Sequence, residues 1–409
     1  MADILFWPPF PTRDRLFDQL FRSVWHFLPA LAKFDRLVFP YAGDDVRLLD
    51  AEQNLGMAKA YLGRDFDPDI ADYAARFAGK VAISADPNGD PAIYAGPYAG
   101  LVVWYAADAT LNAAARAIAE RAGCEIVWAD PELVQQETLS LIRFVFTLFP
   151  KPEIDALLSN SVHLFFLHLK RWHGRPISAF GNGPSLQRVV ENRIDPGPTL
   201  RLICNSTVGD TAALAHLKPE IMFCGDPVQH CGASRYAGQF RADLAAALDA
   251  DPNRVLVTQL GFIPYLKAAL PADTHTRLVG VGNDRRSDFN VDLTASFFTA
   301  ATANIFTMLV LPVAFTISRQ VDIYGCDGQP FAAATKPWGH AGETDYMSRM
   351  AVTHRVHPGF WRRNYAEELT SYYDDMEDLL ATAEKAGATV RNRTPSYVPA
   401  LAKRFVAPD

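Results

Sequence analysis

The chain has 409 residues, 49% of them hydrophobic and 21% charged, with a net charge of −7. That length exceeds one ordinary hydrophobic core, so two domains are expected, and the composition excludes wholesale disorder. The acidic balance speaks against a protein built to grip nucleic acid. Five cysteines (Cys124, Cys204, Cys224, Cys231, Cys326) without Cys-x-x-Cys or Cys/His spacing point to reduced, buried thiols in a cytoplasmic protein rather than to a zinc site or a disulfide framework.

Residues 1–10 lack the basic start and long apolar core of a signal peptide. Ile4–Trp7, Leu37–Phe39, Val81–Ile83, Leu101–Trp104 and Glu125–Trp128 read as strands. Arg13–Leu28 has helical apolar spacing, and Thr110–Ala122 is a helix between the last two strands, so parallel βαβ units are predicted. The aromatic first helix (Phe17, Phe21, Trp25, Phe27) is expected to pack internally; the competing reading is a partner or a peripheral contact at the inner face of a membrane. Glu132–Phe149 and Ile154–Trp172 read as helices split at Pro150–Pro152.

A second alternating series starts at Pro176. Its strands are Ile177–Phe180, Leu200–Cys204, Ile221–Cys224, Arg254–Thr258, Val321–Tyr324 and Ala388–Val390. Leu186–Asn192, Tyr236–Leu248, Leu293–Ser318 and Tyr365–Ala386 read as helical. Leu293–Ser318 carries no charge, but its threonines, Asn304 and Pro312 fit a helix buried in an α/β domain better than a membrane span. The expected architecture is two doubly wound, mainly parallel α/β domains of Rossmann-like type, 1–172 and 173–409. Nothing in the pattern sets the oligomeric state.

Four strand ends of the second series are polar and mostly contain glycine: Gly181-Asn182-Gly183-Pro184-Ser185, Cys204-Asn205-Ser206-Thr207, Gly225-Asp226-Pro227 and Gly325-Cys326-Asp327-Gly328. Ligands of open α/β sheets sit at the carboxyl ends of the strands. One such corner alone reads as turn chemistry; four together point to a ligand. Glycines would let it approach, Pro184 suits a first helical turn, and Ser185 with the helix amides would face a phosphate. Asn and Asp side chains would read sugar hydroxyls or a base edge.

The run Gly181-Asn182-Gly183-Pro184-Ser185-Leu186 resembles the opening motif of the bacterial sialyltransferases of glycosyltransferase family 42. The likeness continues at Cys204-Asn205, at Ile323–Asp327 and at Ala388–Ser396, and covers about residues 176–401. It extends to a related domain family that includes motility-associated factors and an archaeal hydroxymethylpterin diphosphokinase. The resemblance implies a sialyltransferase-like C-terminal domain. That domain would move sialic acid or a related nonulosonic acid from a CMP-activated donor to a glycan or glycoprotein acceptor, with no cofactor and no metal. The donor contacts it implies are Gly181, Asn182, Gly183, Pro184, Ser185, Asn205, Ser206, Asp226, Asn304, Gly325, Asp327 and Gly328.

The family's phosphate-holding tyrosines have no counterpart in 329–338, so Lys336, with Thr335, is expected to take the anion. The family's general base is a histidine before the last long helix; His357 is favoured, then His354, then His340. The N-terminal domain would bind acceptor or be a relic of duplication. The acidic run 373–378 reads as a solvated helix face. Two other readings stay open: a Mg²⁺-dependent nucleotide pyrophosphokinase in which acidic residues such as Asp226 and Asp327 converge, and a binding or scaffold protein that kept the fold.

Overall fold

The structure, a computed structural model, describes residues 1–45, 50, 54, 65–86, 89–91, 94, 96–284, 288–333 and 343–408, with side chains of 343–349 left aside. The chain forms a Rossmann-like two-domain α/β fold with two parallel sheets of five and eight strands. It divides into two units that are not sequential halves. The first comprises Met1–Glu153, Pro227–Gln239 and Arg349–Arg363; the second comprises Ile154–Asp226, Phe240–Ser348 and Asn364–Asp409.

In the first unit, strands β1 (Asp3–Trp7), β2 (Leu37–Tyr41), β3 (Val81–Ala85), β4 (Tyr98–Val103) and β5 (Ile126–Trp128) lie in the order β3-β2-β1-β4-β5. All five fall on the apolar runs predicted from sequence. Leu5 stands opposite both Val38 and Leu101, in near-continuous apolar strands as expected for a sheet covered on both faces. The helix Ala109–Ala122 starts where the Asp108 carboxylate accepts from the amides of Thr110 and Leu111. It ends at Gly123, at φ 65°, a conformation glycine adopts without Cβ strain. Its Ala115, Ile118 and Ala119 pack with Leu5, Leu101 and Val103 in one core. Truncating one of the larger of these side chains to alanine costs about 2–5 kcal/mol. Phe17, Phe21, Trp25 and Phe27 are all buried, so the first helix and the turn after it pack internally.

Two later segments return to this unit because their backbones are bonded there. Trp25 Nε1 donates to Cys231 O at 2.9 Å, and the Asp67 amide donates to Ala233 O at 2.9 Å. The Gly359 amide donates to Pro131 O at 2.6 Å.

In the second unit, β6 (Ile177–Phe180), β7 (Leu200–Cys204), β8 (Ile221–Phe223), β9 (Val255–Gln259), β10 (Leu278–Asp284), β11 (Phe298–Ala300), β12 (Gln320–Tyr324) and β13 (Thr389–Asn392) form the larger sheet. Their order is β11-β10-β9-β8-β7-β6-β12-β13. Strands β10 and β11 are not legible as such in the sequence. Gly280 and Gly282 interrupt the apolar run of β10, because a Cβ at Gly280 would meet Ile263 at 2.6 Å and one at Gly282 would meet the Phe298 ring.

The helix Lys151–Trp172 contributes Leu164, Phe165, Leu169 and Trp172 to this core, which places it mainly with the second unit rather than at the end of the first domain. Its start takes in Pro152, tolerated where the amide has no intrahelical partner. The helix Tyr365–Lys385 buries Leu369, Tyr372, Tyr373, Met376, Leu379, Leu380 and Ala383, a stripe at intervals of three and four. Leu293–Ser318 is only partly helical. It gives the edge strand β11, then a π-turn at Phe306–Val310 leading into the helix Leu311–Ile317. Pro312 has no amide to donate to the preceding turn, and such a local loss favours a wider turn. Among the described residues no helix is long and apolar enough to cross a membrane.

Candidate functional site

Each sheet has one point where the strand order reverses, the place where ligands of open α/β sheets bind. In the first unit this point lies between β1 and β4, and aromatic side chains fill it. The Phe10 ring stacks on Trp104 at 4.4 Å, and Trp104 Nε1 donates to Pro8 O. Trp7, Phe10 and Trp104 are all buried. In the second unit the point lies between β6 and β12, where the loops are polar. These are the corners Gly181–Ser185 and Gly325–Gly328.

The two corners grip each other. The Gly181 amide donates to Tyr324 O at 2.7 Å and the Gly183 amide to Gly325 O at 2.9 Å. A Cβ at Gly181 would lie 2.5 Å from Gly325 O, and one at Gly183 would strike the Asp327 carboxylate. Gly325 and Gly328 have φ of 67° and 63°. The glycines therefore serve the approach of one loop to the other.

The start of the helix Ser185–Glu191 also departs from the expectation. The Asp327 carboxylate accepts from the Ser185 amide at 3.2 Å and from its hydroxyl at 2.8 Å. The next amides, of Leu186 and Gln187, turn back to Gly183 O and Pro184 O. The anion at this seven-residue helix is the protein's own, so the phosphate placed there from sequence finds its donors already engaged. Pro184 precedes the helix at φ −55° rather than lying inside it. Burial pushes the Asp327 carboxyl up, against the hydrogen bonds from Ser185 and the Arg188 charge, which hold it down.

The end of β7 is the least satisfied part of this edge. Asn205 takes φ 51°, rare for a residue with a Cβ and concentrated at functional sites. Its buried Oδ1 has no hydrogen-bond partner, nor has the buried Thr207 Oγ1. Buried polar atoms are paired in most proteins, so two orphans side by side call for an explanation such as a ligand or water. Asn182 Nδ2 donates to Ser206 Oγ at 3.2 Å and links this corner to the first.

Of the other expected donor contacts, Asp226 is half-buried at the end of β8. Gly225 beside it packs against Ile305 and against Met308 of the π-turn. Asn304 Oδ1 accepts from the Phe306 amide at 2.8 Å and so caps that turn. Lys336, Thr335 and His340 lie outside the described residues. Among the described residues no group of three or more His, Cys, Asp or Glu is placed to hold a metal ion.

His354 and His357 belong to the first unit. The imidazole of His357 is fully buried, with Nδ1 hydrogen-bonded to Glu137 Oε1. Its Nε2 has no partner, and neither do Glu137 Oε2, Thr138 Oγ1, Thr353 Oγ1 or either nitrogen of His354. Burial, aided by the neighbouring His357, pushes His354 down to about 3, so its ring is neutral near pH 7. Buried Arg22 donates to Val356 O, and Glu137 is among the charges that act on its guanidinium. A carboxylate that fixes one imidazole nitrogen leaves the other as the base, the arrangement proton-transfer sites use.

Sequence reasoning missed Glu137 as the partner of His357, and it missed the tyrosines near Asp327. Tyr373 donates its hydroxyl to Gln329 O at 2.6 Å and receives the Gln329 amide at 3.1 Å, pinning the loop after β12. The sequence reading places Tyr373 in the solvated acidic run 373–378, whereas Tyr372, Tyr373 and Met376 are buried. None of the five cysteines is in a disulfide; burial pushes Cys204 and Cys224 up to about 12, so these two pack as neutral thiols.

No protein-family model, curated protein or solved structure matches the chain.

Proposed function

We propose that the second unit binds a cytidine nucleotide at the β6–β12 switch point. On this reading the chain is a glycosyltransferase that takes sialic acid or a related nonulosonic acid from a CMP-activated donor. The observation that carries the reading is the edge formed by Asn182, Asn205, Ser206, Thr207 and Asp327. These residues gather at the carboxyl ends of adjacent strands, with two orphaned buried oxygens among them. Asn205 Oδ1 and Thr207 Oγ1 would accept from a nucleotide's amino and hydroxyl groups. The Asp327 carboxylate is suited to ribose hydroxyls, as acidic side chains at such switch points are.

The test is thermal denaturation with added nucleotide. CMP without divalent metal is expected to raise Tm. A rise with ATP and Mg²⁺ in place of CMP would move the chain to the pyrophosphokinase class. No shift with either would overturn the enzyme reading in favour of a binding or scaffold protein.

A further inference from the structure

The corner that was to hold the nucleotide's phosphate carries the Asp327 carboxylate, and a phosphate set beside it would meet like charge in a partly buried place. A phosphate at this switch point therefore needs a cation and a donor away from the Asp327 carboxylate. Two residues meet that need.

Arg188 lies one helical turn beyond Ser185, on the same side of the helix. It is exposed, and among the described residues its guanidinium has no hydrogen bond or ion pair. It is near enough to Asp327 for its charge to act on that carboxyl.

Tyr397 follows β13, the strand next to β12. Its backbone is strapped to the same loop. The Tyr397 amide donates to Asp327 O at 2.6 Å, and Ser396 Oγ donates to Cys326 O at 2.6 Å. The Val398 amide donates to Ser396 Oγ at 3.0 Å, and the Gly325 amide to Thr394 Oγ1 at 2.9 Å. This segment is held firmly, yet the Tyr397 side chain is 62% exposed. A single exposed aromatic is ordinary; this one has its backbone bonded to the loop after β12, which holds it close to the switch point.

We propose that Arg188 and Tyr397 form the phosphate grip of the second unit. Arg188 offers a forked guanidinium from the helix after β6, and Tyr397 a phenolic O–H from the segment strapped to the Asp327 backbone. This rests on the nucleotide reading above and specifies its monophosphate. It also supplies a phenol from the C-terminal segment, where the loop after β12 has none.

The experiment is calorimetric titration of CMP and cytidine into the full chain without divalent metal, for wild type, Arg188→Gln, Tyr397→Phe and the double variant. Wild type is expected to bind CMP more tightly than cytidine. Each single variant is expected to lose about tenfold for CMP and nothing for cytidine, since one charged or polar contact to the phosphate is removed. The double variant should bind the two ligands alike. Unchanged CMP affinity in all three variants, or equal wild-type affinity for CMP and cytidine, would overturn the grip while leaving the nucleotide site standing. Failure of wild type to bind either compound would overturn the nucleotide reading itself, and the grip with it.

Discussion

The Asp327 carboxylate caps Ser185 from the loop after the neighbouring strand β12, 142 residues along the chain, with oxygens 3.2 Å from the amide and 2.8 Å from the hydroxyl. This contact joins the corner after β6 to the corner after β12 and fixes the geometry of the switch point. Its cost is the burial of a carboxylate, which pushes the Asp327 carboxyl up.

That cost predicts a pH dependence. A carboxyl whose folded-state pKa is raised favours folding below its unfolded pKa, near 4, and loses that contribution as pH climbs through the raised folded value. Asp327→Asn keeps an acceptor for Ser185 and carries no charge. The Tm of Asp327→Asn minus that of wild type is therefore expected to grow between about pH 4 and pH 7. A difference that stays flat across that range would show that the buried charge is compensated.

The glycines of the corner predict a steric effect. Gly183→Ala puts a methyl group on the Asp327 carboxylate, and Gly181→Ala puts one against Gly325 O and Cys326 Sγ. Each is expected to cost about 1–3 kcal/mol, read as a lower urea midpoint at constant m-value. Gly96→Ala, whose added methyl would meet nothing closer than 3.7 Å, is the control and should change the midpoint little.

Asn205 should separate stability from binding. Asn205→Gly relaxes the left-handed backbone and is expected to stabilise the fold by about 0.5–1 kcal/mol. The same change removes Oδ1 and should weaken CMP in the titration described above. Gain of Tm with loss of affinity supports the strained residue as a ligand contact; gain of both would refute that role.

In the first unit, Glu137 and His357 form a buried pair, and removing one member strands the other. His357→Ala and Glu137→Ala are each expected to cost about 3–5 kcal/mol, whereas Glu137→Ala/His357→Ala should cost less than their sum. Chemical denaturation of the four proteins gives the coupling. Thr353→Val, which deletes an orphaned buried hydroxyl without changing shape, should be neutral or stabilising by about 1 kcal/mol.

Local patterns in the sequence reveal the strands of the first sheet, because each is a short apolar run bounded by turn residues. They do not reveal β10, where packing demands Gly280 and Gly282, nor the cap from Asp327 or the pairing of Glu137 with His357. Those relations join residues 142 and 220 positions apart, and no local preference reports them. The glycine-rich corner is legible as unusual, but its glycines answer to a neighbouring loop. The allocation of Pro227–Gln239 and Arg349–Arg363 to the first unit is equally silent, since an amphipathic stretch does not declare which core it will join.

That allocation sets an order of events during synthesis. The first unit needs Arg349–Arg363, so it cannot be complete until the ribosome has passed residue 363, long after β1 is made. At about 5–20 residues per second, β1 waits roughly 20–70 s for its unit to be finished. Most strands of the second sheet are made within that interval. A nascent chain stalled before residue 349 should therefore hold an unfinished N-terminal unit, prone to capture by chaperones, and expression of residues 1–172 alone should yield an aggregating fragment rather than a domain.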